Sequence, residues 1–185
     1  MGTVLCLLAA AVAYSVGDVA NPRSRGSWIA DEAGVIPEAA EVELNRRIDS
    51  LDRDLGVEIA VVTVPEVDTT PKEFATALFN RWGVGKRRAD NGLLVLLVRD
   101  RRRLEMETGY GLEPILPDGW LGGMQQKKMV PRFKAGDFGG GLVAGVEAVE
   151  SKLREAPAEA AEGTRREGDP PPAAGGSDAG LLALG

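Results

Sequence analysis

The sequence of 185 residues contains no histidine and only one cysteine, Cys6. Without histidine the chain cannot form a Ser-His-Asp triad, a histidine phosphatase site or a His-ligated zinc site. One cysteine can neither close an internal disulfide nor build a cysteine-rich metal site. The sequence also lacks a Cys-x5-Arg loop, an Asp-x-Asp-x-Thr turn and a P-loop. Most covalent routes to phosphate-ester hydrolysis therefore lack their nucleophile.

The chain also lacks an excess of basic residues. It has 22 Lys and Arg against 28 Asp and Glu, which gives a net charge of -6. Nucleic-acid binders usually carry a basic face, so we predict no nucleic-acid partner. Hydrophobic residues make up 44% of the chain, which is enough for a real core, and the length indicates one domain with tails.

The two ends of the chain differ in composition from its middle. Val4–Val16 is apolar, too short to span a bilayer, and has the length of a signal-peptide core, although no basic residue precedes it. We predict a signal-like segment over 1–16, a polar linker over 17–27 and an extracytoplasmic location, periplasmic or secreted. A buried N-terminal strand or helix is the alternative for the apolar run. The Ala-, Glu-, Pro- and Gly-rich stretch 154–185 predicts a disordered tail.

The middle of the chain, 28–153, alternates helical and extended patterns. Apolar residues recur at helical spacing between Pro37 and Gly56, and a capping-box pattern at Thr70 begins a second helix. Leu93–Val98 is apolar on both faces, as a central strand would be. The remaining predicted elements are an extended stretch at 28–35, strands at 57–64 and 104–108, and helices from Asp118 and after Asp137. This order predicts an α/β fold with helices on both faces of a mixed sheet.

Carboxylates cluster at the predicted strand ends and glycine turns. Asp90 opens the apolar strand, Glu107 precedes the turn Gly109-Tyr110-Gly111, and Glu113 follows it. Asp31 lies in the turn that precedes the first helix. Carboxylates in such positions suit a hard cation such as calcium, which prefers oxygen ligands.

Each of these carboxylates also has a purely structural interpretation. Asp90 could cap an Asp-Asn-Gly turn, and Glu107 could lie on a solvent-facing strand face beside Glu105. Glu113 could compensate a helix dipole, and Asp31 could cap the helix region. The basic run Lys86, Arg87 and Arg88 either attracts an anionic substrate or forms a solvated loop.

Several short pieces of the chain, taken in order, resemble the TPM domain family, which is named after a thylakoid acid phosphatase and related membrane proteins. The resemblance covers about Trp28 to Leu153. It is carried by the pieces DEAGVI at 31–36, GVEIAVVTV at 56–64, FNRWGVG at 79–85, DNG at 90–92, ETGYGLE at 107–113 and PRFKAGD at 131–137. One departure is Glu105, where a basic or neutral residue is commoner in the family.

The resemblance implies a three-layer α/β/α sandwich with a mixed central sheet, calcium binding and acid-phosphatase activity. Family members usually carry an export signal and often a downstream membrane span, and we also predict a membrane protein partner. We therefore predict a Ca²⁺ site built from Asp31, Asp90, Glu107 and Glu113. In the enzymatic version, Asp90 or Glu107 orients a metal-bound water toward a phosphorylated substrate. In the alternative version, the domain is a non-catalytic accessory module near a membrane, and its cation is structural.

Overall fold

The computed structural model describes residues 13–86 and 89–156; most of the predicted signal-like segment, Arg87, Arg88 and nearly all of the predicted tail lie outside them. A 3-10 helix precedes four strands and five α-helices. In chain order the elements are the 3-10 helix Pro22–Arg25, β1 Ile29–Asp31, α1 Glu38–Leu55, β2 Glu58–Val64, α2 Pro71–Trp82, β3 Gly92–Val98, β4 Arg103–Thr108, α3 Asp118–Met124, a π-helical turn Gln125–Met129, α4 Val130–Lys134 and α5 Phe138–Arg154.

The four strands form one mixed sheet in the order β1-β2-β3-β4. The first three strands are parallel, and β4 pairs antiparallel with β3. Every residue of β3 is buried, because this strand has a neighbour on each side and helices over both faces. The predicted central strand and the predicted mixed sheet are therefore confirmed.

Local sequence signals explain where the best-defined helix begins and ends. The Thr70 side chain accepts a hydrogen bond from the Glu73 amide at 3.2 Å, and Glu73 reaches back to complete the capping box. Pro71 occupies the first helical position, where its missing N–H costs nothing. Gly83 ends the helix with a φ of 61°, a left-handed conformation that suits glycine.

Helices cover both faces of the sheet and make the three layers. Leu44, Ile48 and Leu51 of α1, together with Leu142 and Val146 of α5, pack on one face. The other face carries a second apolar cluster contributed mainly by α2, with Phe74, Ala75 and Leu78 packed on alternate residues of β2 and β3. The three-layer α/β/α sandwich is thus the observed architecture.

The two parallel crossovers have opposite hands. The chain steps from β1 to β2 and then to β3 in the same direction across the sheet. Helix α1 makes the first step over one face, whereas α2 makes the second step over the other face. Two steps in one direction over opposite faces cannot have the same hand, so one crossover is left-handed, which is rare in parallel sheets.

The segment before β1 packs onto the domain instead of forming the predicted linker. The Tyr14 amide donates to the Glu66 carbonyl oxygen at 2.9 Å, and Val19 is buried in the cluster under α2. The Arg23 guanidinium lies 3.5 Å from the centre of the Trp28 ring, a cation–π contact. This packing brings residues from Tyr14 onward into the folded unit.

The helical region that begins at Asp118 continues through Pro131 as far as Lys134. Proline in a helix interior removes one hydrogen bond and clashes with the carbonyl group four residues earlier, here that of Lys127. The wider π-helical turn Gln125–Met129 lies directly before α4 and accommodates this disturbance. Within 13–86 and 89–156, no helix combines the length and apolar character needed to cross a membrane.

Candidate functional site

The four predicted calcium ligands lie at two different ends of the sheet. Asp31 ends β1 and is level with Thr63 and Leu97, whereas Asp90 precedes β3 at the opposite end of the sheet. Leu97 is five residues along β3 from Gly92, which corresponds to about 16 Å at roughly 3.3 Å per residue. Calcium ligands lie about 2.3–2.6 Å from the ion, so Asp31 and Asp90 cannot share one.

The predicted four-carboxylate shell is therefore not found. In the described part of the chain, no group of three or more His, Cys, Asp or Glu residues is placed to hold a metal ion. The sequence could not reveal this separation, because the order of residues along the chain does not say which end of the sheet each turn occupies.

Asp31 has a structural role at the carboxyl end of β1. Its carboxylate accepts hydrogen bonds from the Val35 amide at 3.1 Å and the Ile36 amide at 2.8 Å. The Thr63 hydroxyl donates a further short hydrogen bond to the same carboxylate. These contacts close the loop between β1 and α1, in agreement with the interpretation of Asp31 as a cap.

Glu107 is held in an ion pair on the face of the sheet that α2 covers. The Lys72 ammonium lies 2.5 Å from a Glu107 carboxylate oxygen, and only 19% of the Glu107 side chain is exposed. The hydrogen bond to Glu107 raises the pKa of Lys72 above its ordinary value despite partial burial. Glu105 pairs with Arg103 at 3.0 Å. Local sequence patterns missed Lys72, since it lies on a helix distant in sequence.

The backbone around Asp90 is locked against the glycine turn after β4. Asp90 has a φ of 45°, a left-handed conformation unusual for a residue other than glycine. The Gly111 amide donates to the Asp90 carbonyl oxygen at 3.0 Å. A Cβ at Gly109 would overlap the Asp90 carbonyl oxygen, and one at Gly111 would overlap that of Ala89. Only glycine permits this close approach of the two segments.

Among the described residues, Asp90 and Glu113 are the two predicted ligands whose side chains have no competing partner. Both are exposed, and neither side chain forms an ion pair or hydrogen bond with another described residue. Glu113 lies in the turn that follows Gly111 and precedes α3, not at a helix N-terminus. The contact between their backbone segments brings these two carboxylates to the same end of the sheet.

A buried polar framework supports this end of the sheet. Asn91 is fully buried; its Oδ1 accepts from the Lys86 amide and its Nδ2 donates to the Gly56 carbonyl oxygen, both at 2.9 Å. The Lys86 ammonium lies 2.6 Å from Asp52 and 3.4 Å from Glu58. Burial would lower the pKa of Lys86, but these carboxylates outweigh it and raise the pKa. Lys86 is thus engaged within the domain, which favours the structural interpretation of this lysine.

Comparison with known proteins connects this fold to one family. The family model described as the TPM domain matches residues 29–152. The solution NMR structure of the N-terminal domain of a P. gingivalis protein is 38% identical, with a TM-score of 0.73, over 84% of this chain and 98% of that one. Comparison with curated proteins gave no match.

Two further solved structures share the fold at lower identity. The N-terminal domain of the cg2496 protein from Corynebacterium glutamicum is 18% identical, with a TM-score of 0.54, over 68% of this chain and 78% of that one. The BA42 protein from Bizionia argentinensis is also 18% identical, with a TM-score of 0.57, over 65% of this chain and 82% of that one.

Proposed function

Because this chain belongs to the TPM domain family, we propose that it is a calcium-binding module whose carboxylate ligands are Asp90 and Glu113. One observation carries the proposal: two exposed carboxylates without partners among the described residues lie on backbone segments locked together at Gly109 and Gly111.

The donors at this end of the sheet fit a hard cation. Calcium takes six to eight oxygen ligands from carboxylates, backbone carbonyls and water. Asp90 and Glu113 supply carboxylates, and the Ala89 and Asp90 carbonyl groups lie at the same turn. Two carboxylates are few, and calcium affinity rises with the number of charged ligands. We therefore expect a dissociation constant on the order of 10⁻⁴–10⁻³ M, as in extracellular calcium modules.

Of the two versions predicted from the sequence, we adopt the non-catalytic module. Glu107, one of the two predicted catalytic residues, already has its charge balanced by Lys72 at 2.5 Å. A carboxylate engaged in such a pair is less available to orient a metal-bound water, because Lys72 already occupies one of its oxygens. Phosphomonoester hydrolysis through Asp90 or Glu107 stays a prediction, as do export and a membrane protein partner.

Calcium titration with matched variants tests the binding site. For a dissociation constant of about 1 mM, calcium at about 10 mM should raise the free energy of unfolding by about 1.4 kcal/mol. Asp90→Asn and Glu113→Gln should lose most of this gain, and Glu107→Gln should keep it. The readouts are denaturant unfolding with calcium or chelator and NMR shifts of the Gly109 and Gly111 amides. Equal stabilisation of Asp90→Asn and the wild type would refute the assignment.

A phosphomonoester assay on the same proteins distinguishes the enzymatic version from the non-catalytic module. We expect calcium binding without turnover in the wild type. Calcium-dependent turnover that is lost in Asp90→Asn would restore the enzymatic version. Fractionation of cells that produce the full chain tests the extracytoplasmic location, since an exported protein is recovered outside the cytoplasmic fraction.

A further inference from the structure

An open groove of about 710 Å³ lies on the helical layer formed by α3, the π-helical turn, α4 and α5. Its apolar lining comes from Trp120, Pro131, Ala144 and Ala148. Charged side chains from both walls surround these residues. A small apolar centre inside a charged rim is the arrangement that protein interfaces use.

The walls of the groove are held at a fixed separation by glycines of α5. A Cβ at Gly145 would lie 2.5 Å from the Met129 sulfur, and one at Gly141 would overlap the Phe133 ring. Met129 and Phe133 therefore contact the α5 backbone directly, and the π-helical turn and α4 follow α5 closely. The groove is a feature of the packed helices and not of a loop.

The charges of the groove favour an anionic occupant. Lys127, Lys128 and Lys152 line it, and none of them forms an ion pair within the described residues. Arg132 also lines it and lies 3.1 Å from Asp137. The lining acid Glu147 lies 3.4 Å from Arg47, which partly compensates its charge. In a chain of net charge -6, this is a locally cationic surface.

We propose that this groove docks an acidic peptide segment of a partner protein, with one apolar side chain placed against Trp120. Carboxylates flanking that side chain would meet Lys127, Lys128 and Lys152, and an open groove between two helices admits an extended or helical segment. Glu147 and Glu155 also line the groove, so the acidic residues of the segment must lie against the lysines and away from these two carboxylates. The proposal is independent of the calcium site.

Selection from a random peptide library displayed on phage tests the proposal on the full chain. We expect enriched peptides with Asp or Glu on both sides of one large apolar residue. The most enriched sequence, made as a fluorescent peptide, should bind in an anisotropy titration and weaken as salt is raised.

Three variants test whether the peptide binds in the groove. The exposed pair Lys127→Glu and Lys128→Glu should together weaken the peptide at least tenfold at low salt, whereas Lys134→Glu, a matched reversal outside the groove lining, should change it less than twofold. Ser151→Tyr fills the groove from an exposed position and should also abolish binding. Circular dichroism confirms that each variant is folded.

Several outcomes would overturn this inference. They are the absence of enrichment, enrichment of peptides without acidic residues, and binding that survives Ser151→Tyr or the paired lysine reversal. Enriched sequences that match residues 157–185 would assign the groove to this chain's own segment and would equally overturn the partner proposal.

Discussion

At the scale of single residues, Asp90 combines a strained backbone with a side chain that the fold leaves unpaired among the described residues. Its φ of 45° costs most side chains about 1–2 kcal/mol, whereas glycine adopts it freely and asparagine and aspartate tolerate it better than other residues. Strain of this kind occurs often at binding sites.

This strain predicts an order of stabilities at one position. Asp90→Gly should be about 1 kcal/mol more stable than Asp90→Ala, because only alanine keeps the conformational penalty. Both variants should lose calcium stabilisation, as both lack the carboxylate. Arg102, whose φ is 52°, is the matched control: Arg102→Gly should gain stability and keep its calcium response. Urea unfolding with and without calcium measures both effects, and equal stabilities for Asp90→Gly and Asp90→Ala would contradict the interpretation.

At the scale of elements, helix α5 contains glycines that lower its helix propensity but allow neighbouring segments to pack closely against it. Gly141 and Gly145 are buried in its interior, where each glycine costs about 1 kcal/mol relative to alanine. Because these glycines have no Cβ, Phe133 and Met129 contact the α5 backbone directly. This contact determines how near α4 and the π-helical turn lie to α5.

Two glycine-to-alanine substitutions distinguish the effect of helix propensity on stability from the effect of packing. Gly141→Ala should destabilise the protein by about 1–3 kcal/mol, because the new methyl group overlaps the Phe133 ring and overpacking exceeds the propensity gain. Gly122→Ala in α3, where nothing lies within 4 Å of the new Cβ, should stabilise by about 0.5–1 kcal/mol. Thermal or denaturant unfolding measures both. Stabilisation by Gly141→Ala would show that the helices separate easily.

At the scale of the whole molecule, ion pairs join the first and last long helices across the sequence. Arg47 of α1 lies 2.7 Å from Glu43 and 2.8 Å from Glu150 of α5. Arg154 lies 3.0 Å from both Glu150 and Asp54. Loss of these carboxylate charges would leave the arginines between α1 and α5 without partners.

The pKa values of this network predict the acid side of the stability curve. The hydrogen bond with Arg46, together with the charge of Arg47, lowers the pKa of Glu43 from 4.5 to about 2. Arg154 and Ser50 lower the pKa of Asp54 below its ordinary value. Each carboxylate binds protons more weakly in the folded state than in the unfolded state. Their stabilisation is therefore present above the unfolded pKa and is lost as pH falls toward the folded pKa.

Urea unfolding midpoints measured between about pH 5 and pH 2 test this expectation. The midpoint should fall across this range, and Glu43→Gln should show a smaller fall because it removes one of the linked groups. Glu38→Gln removes the same charge from an exposed position on α1 without breaking an ion pair among the described residues, so it should keep the wild-type slope. Identical slopes for Glu43→Gln and the wild type would refute the role of Glu43.

Much of the fold could be predicted because its signals are local. The apolar run of β3, the capping box at Thr70 and the glycine after α2 each depend on neighbouring residues. The three-residue strand β1 was predicted only as an extended stretch, since three residues are too few to show alternation. The packing of Tyr14 and Val19 under α2 was missed because it depends on contacts with residues far along the chain.

The candidate site could also be predicted only in part from the sequence. The turns that carry carboxylates and glycines could be predicted from the amino-acid sequence, because turn chemistry depends on a few adjacent residues. The packed structure was needed to show that Asp31 closes a loop at the other end of the sheet, that Lys72 pairs with Glu107, and that the Asp90 backbone contacts Gly111. Those outcomes follow from strand register and from which helix covers which face, and both are set by packing between segments distant in sequence.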